Sequence, residues 1–258
     1  MAVRSVAERT PGARFATLRK DRWWLQPLVT VVVLAGFVVY GIYVAFVNKD
    51  YYHDPYISPF YSPCLASSCA HATAKIFGDW WKLSPALLVL PFPLGFRLTC
   101  YYYRKAYYRS FWWAPPACAV PDARPRYSGE TRFPLILQNI HRYFFYLALP
   151  FPILLTWDAL KAFKFPDGFG LGVGTLVLLL NAGMLWLYTL SCHSCRHLCG
   201  GHLNTFSAHP LRYRLWRWST VLNKRHMLYA WVSLFVVALA DLYIRLVANG
   251  TIHDPRLF

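Results

Sequence analysis

Three cysteines and three histidines fall within thirteen residues, Leu190–His202, in the stretch "LSCHSCRHLCGGH". Thiolate and imidazole together suit transition metals. A Rieske-type [2Fe–2S] centre takes two Cys on one iron and two His on the other. Zinc accepts Cys2His2, and a bis-histidine haem needs two imidazoles from facing helices. His141 in "LQNIHRYFF" and His226 in "NKRHMLYAW" are further candidates, beside His193 and His197. Ordinary packing is the alternative, because free cysteines are commonly buried as inert small side chains.

Helix geometry limits the combinations. At about 100° per residue, Cys192, Cys195 and Cys199 fall within about 60° of one another, and His193 and His197 lie about 40° apart on a nearly opposite side. One metal on a continuous helix cannot take both the Cys pair and the His pair. In one arrangement Cys192 and Cys195 meet His141 and His226. In the other, His193 and His197 meet cysteines such as Cys100 and Cys118. A helix break at Gly200-Gly201 frees Cys199 and His202 from this constraint.

The elements that position these groups are membrane spans. The chain has 258 residues, 57% hydrophobic and only 15% charged, with mean hydropathy +0.30. Soluble domains carry about 25% charged residues. Five spans are expected, at about 25–46, 84–103, 133–157, 169–191 and 227–248, in an all-α integral membrane bundle. The first, fourth and fifth approach the roughly 20 apolar residues needed to cross a bilayer. The second is weakest, interrupted by Pro91, Pro93 and Arg97. Residues 1–24 are polar and basic without a cleavable signal, and read as a cytoplasmic tail before the 25–258 membrane domain.

Lys and Arg set the orientation. Counting Arg97 with the inner side, the N-terminus and the second-to-third and fourth-to-fifth loops hold 6, 7 and 6 of them; the opposite loops and the C-terminus hold 3, 2 and 1. The bias puts the N-terminus in the cytoplasm. The net charge of +16 then lies mostly on the inner face, which suits anionic lipids or a soluble docking partner. No nucleic-acid-binding fold accompanies it.

Asp241 and Arg245, four apart in the fifth span, share a face and can pair. Intramembrane charges are functional suspects, so a structural pair and a proton path both stand. Asp158 reads as interfacial. In the outer loop Val47–Leu83, Trp80 and Trp81 suit an interfacial belt. Cys64 and Cys69 can form a disulfide there, and Cys69 with His71 can hold an outer metal. In the inner loop, "APPACAVP" must be irregular because its prolines deny regular hydrogen bonding.

The stretches "FPLGFRLTCYYYRKAYYRSFW", "PPACAV", "FPLILQNIHRYFFYLAL", "SCHSCRH" and "LNKRHMLYAWVSL" resemble the single-chain, five-helix membrane anchor of bacterial succinate dehydrogenases of the actinobacterial type. The likeness runs from about Tyr51 to the end. It implies a subunit of the bacterial plasma membrane that docks an FAD flavoprotein and an iron–sulfur protein on the cytoplasmic side. Electrons from succinate would pass to a quinone near the inner face. It also implies an enzyme complex whose dehydrogenase site lies outside this chain, which has no G-x-G-x-x-G fingerprint.

Relatives with two haems draw ligands from several helices including the first two, and here those spans lack histidine. A Rieske-like [2Fe–2S] centre, one haem b between His141 and His226, and no anchor cofactor remain as readings. For the quinone, Gln138, Asn139 and Arg142 can hydrogen-bond a carbonyl, and Trp23 and Trp24 could line the way in. A stand-alone membrane metalloprotein is a competing reading. So is a transporter built on Asp241 and Arg245, although no convincing repeat supports it.

Overall fold

The computed structural model of the protein describes residues 17–63, 84–123, 131–133 and 135–258. The expected Cys64–Cys69 disulfide, the Cys69/His71 site, Trp80 and Trp81 lie outside them. The described chain is mostly helical, with two two-stranded antiparallel ribbons. Four helical segments are long and apolar enough to cross a membrane: Leu25–Val47, Leu135–Lys161, Val173–Leu190 and His226–Ala248. The apolar helix Ala86–Leu98 is shorter. Four of the expected spans therefore coincide with candidate crossing helices, and the helix at the second is shorter and interrupted.

The break has a local cause. Helix α1 spans Leu25–Val47 and is followed by the β1 (Tyr52–His53) and β2 (Tyr56–Ile57) ribbon. Ser84 then caps α2 (Pro85–Val89), accepting the Ala86 amide at 3.2 Å. Proline occupies the first turn of α2 and of α3 (Pro91–Leu98), where its missing N–H costs nothing. Cys100 is extended, with φ −62° and ψ 129°, before α4 (Tyr101–Ser110) begins.

The chain divides into two compact units, residues 1–38 with 100–139, and residues 39–99 with 140–258. In the first, the N-terminal segment is tied to the proline-rich loop. Arg19 donates to the Cys118 carbonyl at 2.8 Å and Thr17 to the Ala119 carbonyl at 2.7 Å. Arg109 bonds Gln26 at 3.2 Å, and Trp23 meets Trp113 edge to face.

The second unit holds α5 (His141–Ala148), α6 (Pro150–Lys161), the β3 (Lys164–Phe165) and β4 (Gly168–Phe169) ribbon, α7 (Val173–Leu190), α8 (His193–Gly200), α9 (Pro210–Asn223) and α10 (His226–Ala248). A 3₁₀ turn, Leu135–Ile140, leads into α5. Helix α7 packs on α6 and α10, α3 on α5, and α8 on α9. Ala159, Ala162 and Ala240 are fully buried; small residues let apolar helices approach closely. Gly95 is the extreme case, since a β-carbon there would lie 2.1 Å from the Phe144 ring.

Buried carboxylates hold the ribbon segment against this unit. Asp241 is fully buried and accepts from Tyr40, Ser58 and Arg245, the last at 2.8 Å. Arg245 also donates to the Lys49 carbonyl at 2.5 Å. Asp158 is buried and accepts from Ser62, so it is a tether and not the interfacial group that the sequence suggests. Asp254 accepts from Tyr56, Tyr243 and the Gly174 amide at 2.5–2.7 Å.

Candidate functional site

Helix α7 ends at Leu190, and the chain does not continue as one helix through the cysteine-histidine cluster. Ser191 is still helical, but Cys192 is extended, with φ −64° and ψ 143°, and becomes the N-cap of α8. Its sulfur accepts the Ser194 amide at 3.4 Å. The continuous-helix geometry that separates the Cys face from the His face therefore does not hold across Cys192.

The break puts Cys192 against His141. The sulfur lies 3.2 Å from His141 Nε2, and both side chains are at least 98% buried. His141 opens α5 directly after the 3₁₀ turn. Its Nδ1 lies 2.9 Å from Thr99 Oγ1, whose hydroxyl donates to the Gly95 carbonyl at 2.7 Å. The tautomer with the proton on Nδ1 is the one that satisfies both bonds of the Thr99 hydroxyl. Nε2 is left with a lone pair facing the thiol.

His226 is set in the same way. Its Nδ1 lies 2.7 Å from Ser191 Oγ, and that hydroxyl donates to the Tyr188 carbonyl at 3.0 Å. The tautomer that satisfies both bonds of the Ser191 hydroxyl again leaves Nε2 as the acceptor. Imidazoles that bind metals characteristically donate their other N–H to a fixed partner. Both histidines are so arranged, on two different helices.

Aromatic rings join them. Phe96 stacks on His141 at 5.0 Å, Tyr188 stacks on His226 at 5.2 Å, and Phe96 and Tyr188 touch at 5.2 Å. Arg97, 8% exposed, lies 4.5 Å over the Tyr188 ring. It donates to the Ala230 carbonyl at 3.2 Å and to the Ser233 hydroxyl at 2.9 Å.

The remaining candidates sit elsewhere. Cys195 is buried in α8, facing Cys199 and Ser219. His193 is exposed at the start of α8, within electrostatic reach of both His141 and His226. His197 Nδ1 lies 3.3 Å from Arg142 Nη2, and its ring meets His202 edge to face. Among the described residues, no three His, Cys, Asp or Glu side chains are close enough together to hold a metal ion. The structure thus joins His141 to Cys192 and leaves a four-ligand set unassembled.

Of the quinone candidates, Gln138 is buried, with no partner for Oε1 among the described residues. Asn139, Arg142 and Trp24 are exposed, and Trp23 packs on Trp113. Sequence reasoning did not single out Phe96, Thr99 or Tyr188, and took Arg97 as an interruption of the second span and an inner charge. An Arg four residues beyond a Pro-Phe-Pro break within an apolar run was the available signal.

The described residues form a helical, multi-pass membrane protein with a buried imidazole–thiol pair. Residues 25–250 match the family described as actinobacterial succinate dehydrogenase subunit SdhC, and the chain belongs to that family. It is a plasma-membrane subunit of a succinate dehydrogenase complex, and the family implies no catalytic site in the anchor itself. It is also similar to a chain of the Mycobacterium smegmatis Sdh1 complex in the apo form, with 52% identity, 98% of this chain and 97% of that one covered, and a TM-score of 0.85. No curated protein matches it.

Proposed function

We propose that this chain docks the flavoprotein and iron–sulfur subunits at the cytoplasmic face and passes their electrons to a membrane quinone through a Rieske-like [2Fe–2S] centre. The observation that carries the reading is the buried contact between His141 Nε2 and Cys192 Sγ at 3.2 Å. A thiol and an imidazole lone pair from different elements converge there, with the imidazole already fixed by Thr99. Cys195 and His226 would have to close in on this pair to complete a Cys2His2 donor set, since among the described residues no three such side chains are gathered. When bound, the group would supply a one-electron carrier whose histidines raise its potential above that of an all-Cys cluster.

The chain's own residues do the rest. Thr99 and Ser191 hold the two Nδ1 atoms and so fix the ring orientations. Phe96, Phe145 and Tyr188 exclude water around them. Gln138 Oε1, buried and without a partner among the described residues, is an acceptor suited to a quinol hydroxyl, with Asn139, Arg142, Trp23 and Trp24 as the further quinone contacts. One haem b between His141 and His226 is the alternative cofactor, and either group would need Phe96 and Tyr188 to move from between the two imidazoles. His193 and His197 are the alternative imidazoles.

Five spans and a cytoplasmic N-terminus, with residues 1–24 as a tail on the 25–258 anchor domain, are part of this reading. The supports are the charge bias and the helix Ala86–Leu98 as a short, kinked crossing. The test is analytical. Iron and acid-labile sulfide are counted in the intact complex for the native chain and for Cys192→Ser. The reading expects two iron and two sulfide fewer in the variant. Equal counts overturn it.

A further inference from the structure

Helix α9 has one face fully engaged. Ser219 donates to the Leu190 carbonyl at 3.2 Å and Asn223 to the Ser191 carbonyl at 2.7 Å. Arg196 bonds Thr220 at 2.9 Å and lies 4.9 Å over the Trp216 ring. Arg212 bonds the Cys199 carbonyl at 3.1 Å. Gly200 lets Trp216 seat against α8, since a β-carbon there would lie 2.5 Å from its ring. The rotation of α9 about its own axis is therefore fixed.

The opposite face is apolar and open. Leu211, Leu215, Trp218 and Val221 are 67%, 50%, 72% and 64% exposed. Their spacing of four, three and three residues puts them on one stripe. Arg214 and Arg217 are exposed along one edge of it, and Lys224 and Arg225 follow at its C-terminal end. Between Gly168 and Ala240 the sequence contains no Asp or Glu, so nothing on this element offsets the positive charge.

We propose that this face lies in the bilayer interface and binds anionic phospholipid headgroups. Helix α9 ends three residues before the membrane-spanning α10 begins, so its C-terminal end is at the membrane edge. Helices with large apolar side chains on one face and Lys or Arg beside them lie in the interface plane. The arginine stems can lie along the apolar surface while their heads reach the phosphates. The apolar stripe would enter the acyl boundary, and Arg214, Arg217, Lys224 and Arg225 would meet the headgroups.

The test uses the whole complex in native membranes. Trp218 is replaced by photoreactive p-benzoylphenylalanine, the membranes are irradiated, and adducts on this chain are identified by mass. The proposal expects phospholipid adducts. It also expects the intact purified complex to retain at least twofold less phosphatidylglycerol and cardiolipin when it carries Arg214→Gln and Arg217→Gln. A cross-link to a partner subunit, a cross-link to a second copy of this chain, or no adduct overturns it. So does unchanged lipid retention in the double variant. None of these outcomes depends on the cluster.

Discussion

The Asp241–Arg245 pair is the most exacting test of the packing. Asp241 is 0% and Arg245 8% exposed, and the carboxylate takes donors from Tyr40, Ser58 and Arg245. Asp241→Asn removes the charge and leaves the buried guanidinium beside neutral acceptors, the new amide oxygen and the Lys49 carbonyl. Breaking one half of a buried pair costs about 3–5 kcal/mol. Removing both halves with Asp241→Asn and Arg245→Met removes the orphaned charge, so the double variant should regain about 1–3 kcal/mol relative to the sum of the singles. The assay is the temperature at which the chain leaves the purified complex, scored on native gels for the native chain, both singles and the double. The structural account expects large losses in the singles, coupling in the double, and unchanged succinate:quinone turnover per assembled complex at low temperature. Singles of normal stability with lost turnover would refute it and restore the proton-path reading.

Four other outcomes follow from specific contacts. Gly95→Ala forces Phe144 aside and should cost about 1–3 kcal/mol by overpacking, read as a lower dissociation temperature of the complex. Asn181 is 1% exposed with no partner for either amide atom among the described residues; Asn181→Leu should therefore stabilise the chain by about 1–3 kcal/mol, and a loss in the same assay would contradict this. Arg97→Gln removes a positive charge beside Tyr188 and His226, which would lower the midpoint potential of a centre at His141 and Cys192, measured by redox titration of the complex. A hydrogen bond from Arg256 holds the Asp167 carboxyl below the usual carboxylate range. Its contribution is thus complete above the unfolded pKa of about 3.9 and is lost as pH falls through the lower folded value. Hydrogen exchange in the Leu257 amide, bonded to the Leu171 carbonyl at 2.7 Å, should stay protected from pH 7 to 5; loss of protection within that window would show that Asp167 does not hold the tail.

The long apolar runs made the spans legible, because length and hydropathy alone decide whether a helix can cross a bilayer. The meeting of His141 and Cys192 was legible as one of two arrangements, because both residues stand at the ends of expected spans. The break at Cys192 was not. Nothing in "TLSCHSC" is a strong helix breaker, and the turn depends on tertiary bonds such as Asn223 to the Ser191 carbonyl. The roles of Thr99, Ser191, Phe96 and Tyr188 were hidden for the same reason, since each acts on a histidine distant in sequence. Asp158 was misread because its partner, Ser62, lies 96 residues away. The open face of α9 could be read as a periodic stripe only once contacts with α8 fixed which side was covered.

The measurement that tests the central claim most directly is the EPR spectrum of the intact complex after chemical reduction, compared with complexes carrying Cys192→Ser and His141→Ala. The account predicts a Rieske-type signal of low average g in the native complex that is absent from both variants, while the iron–sulfur partner's own signals persist in all three. A native spectrum without that signal, or one that survives loss of Cys192, would contradict an electron-carrying centre at this site.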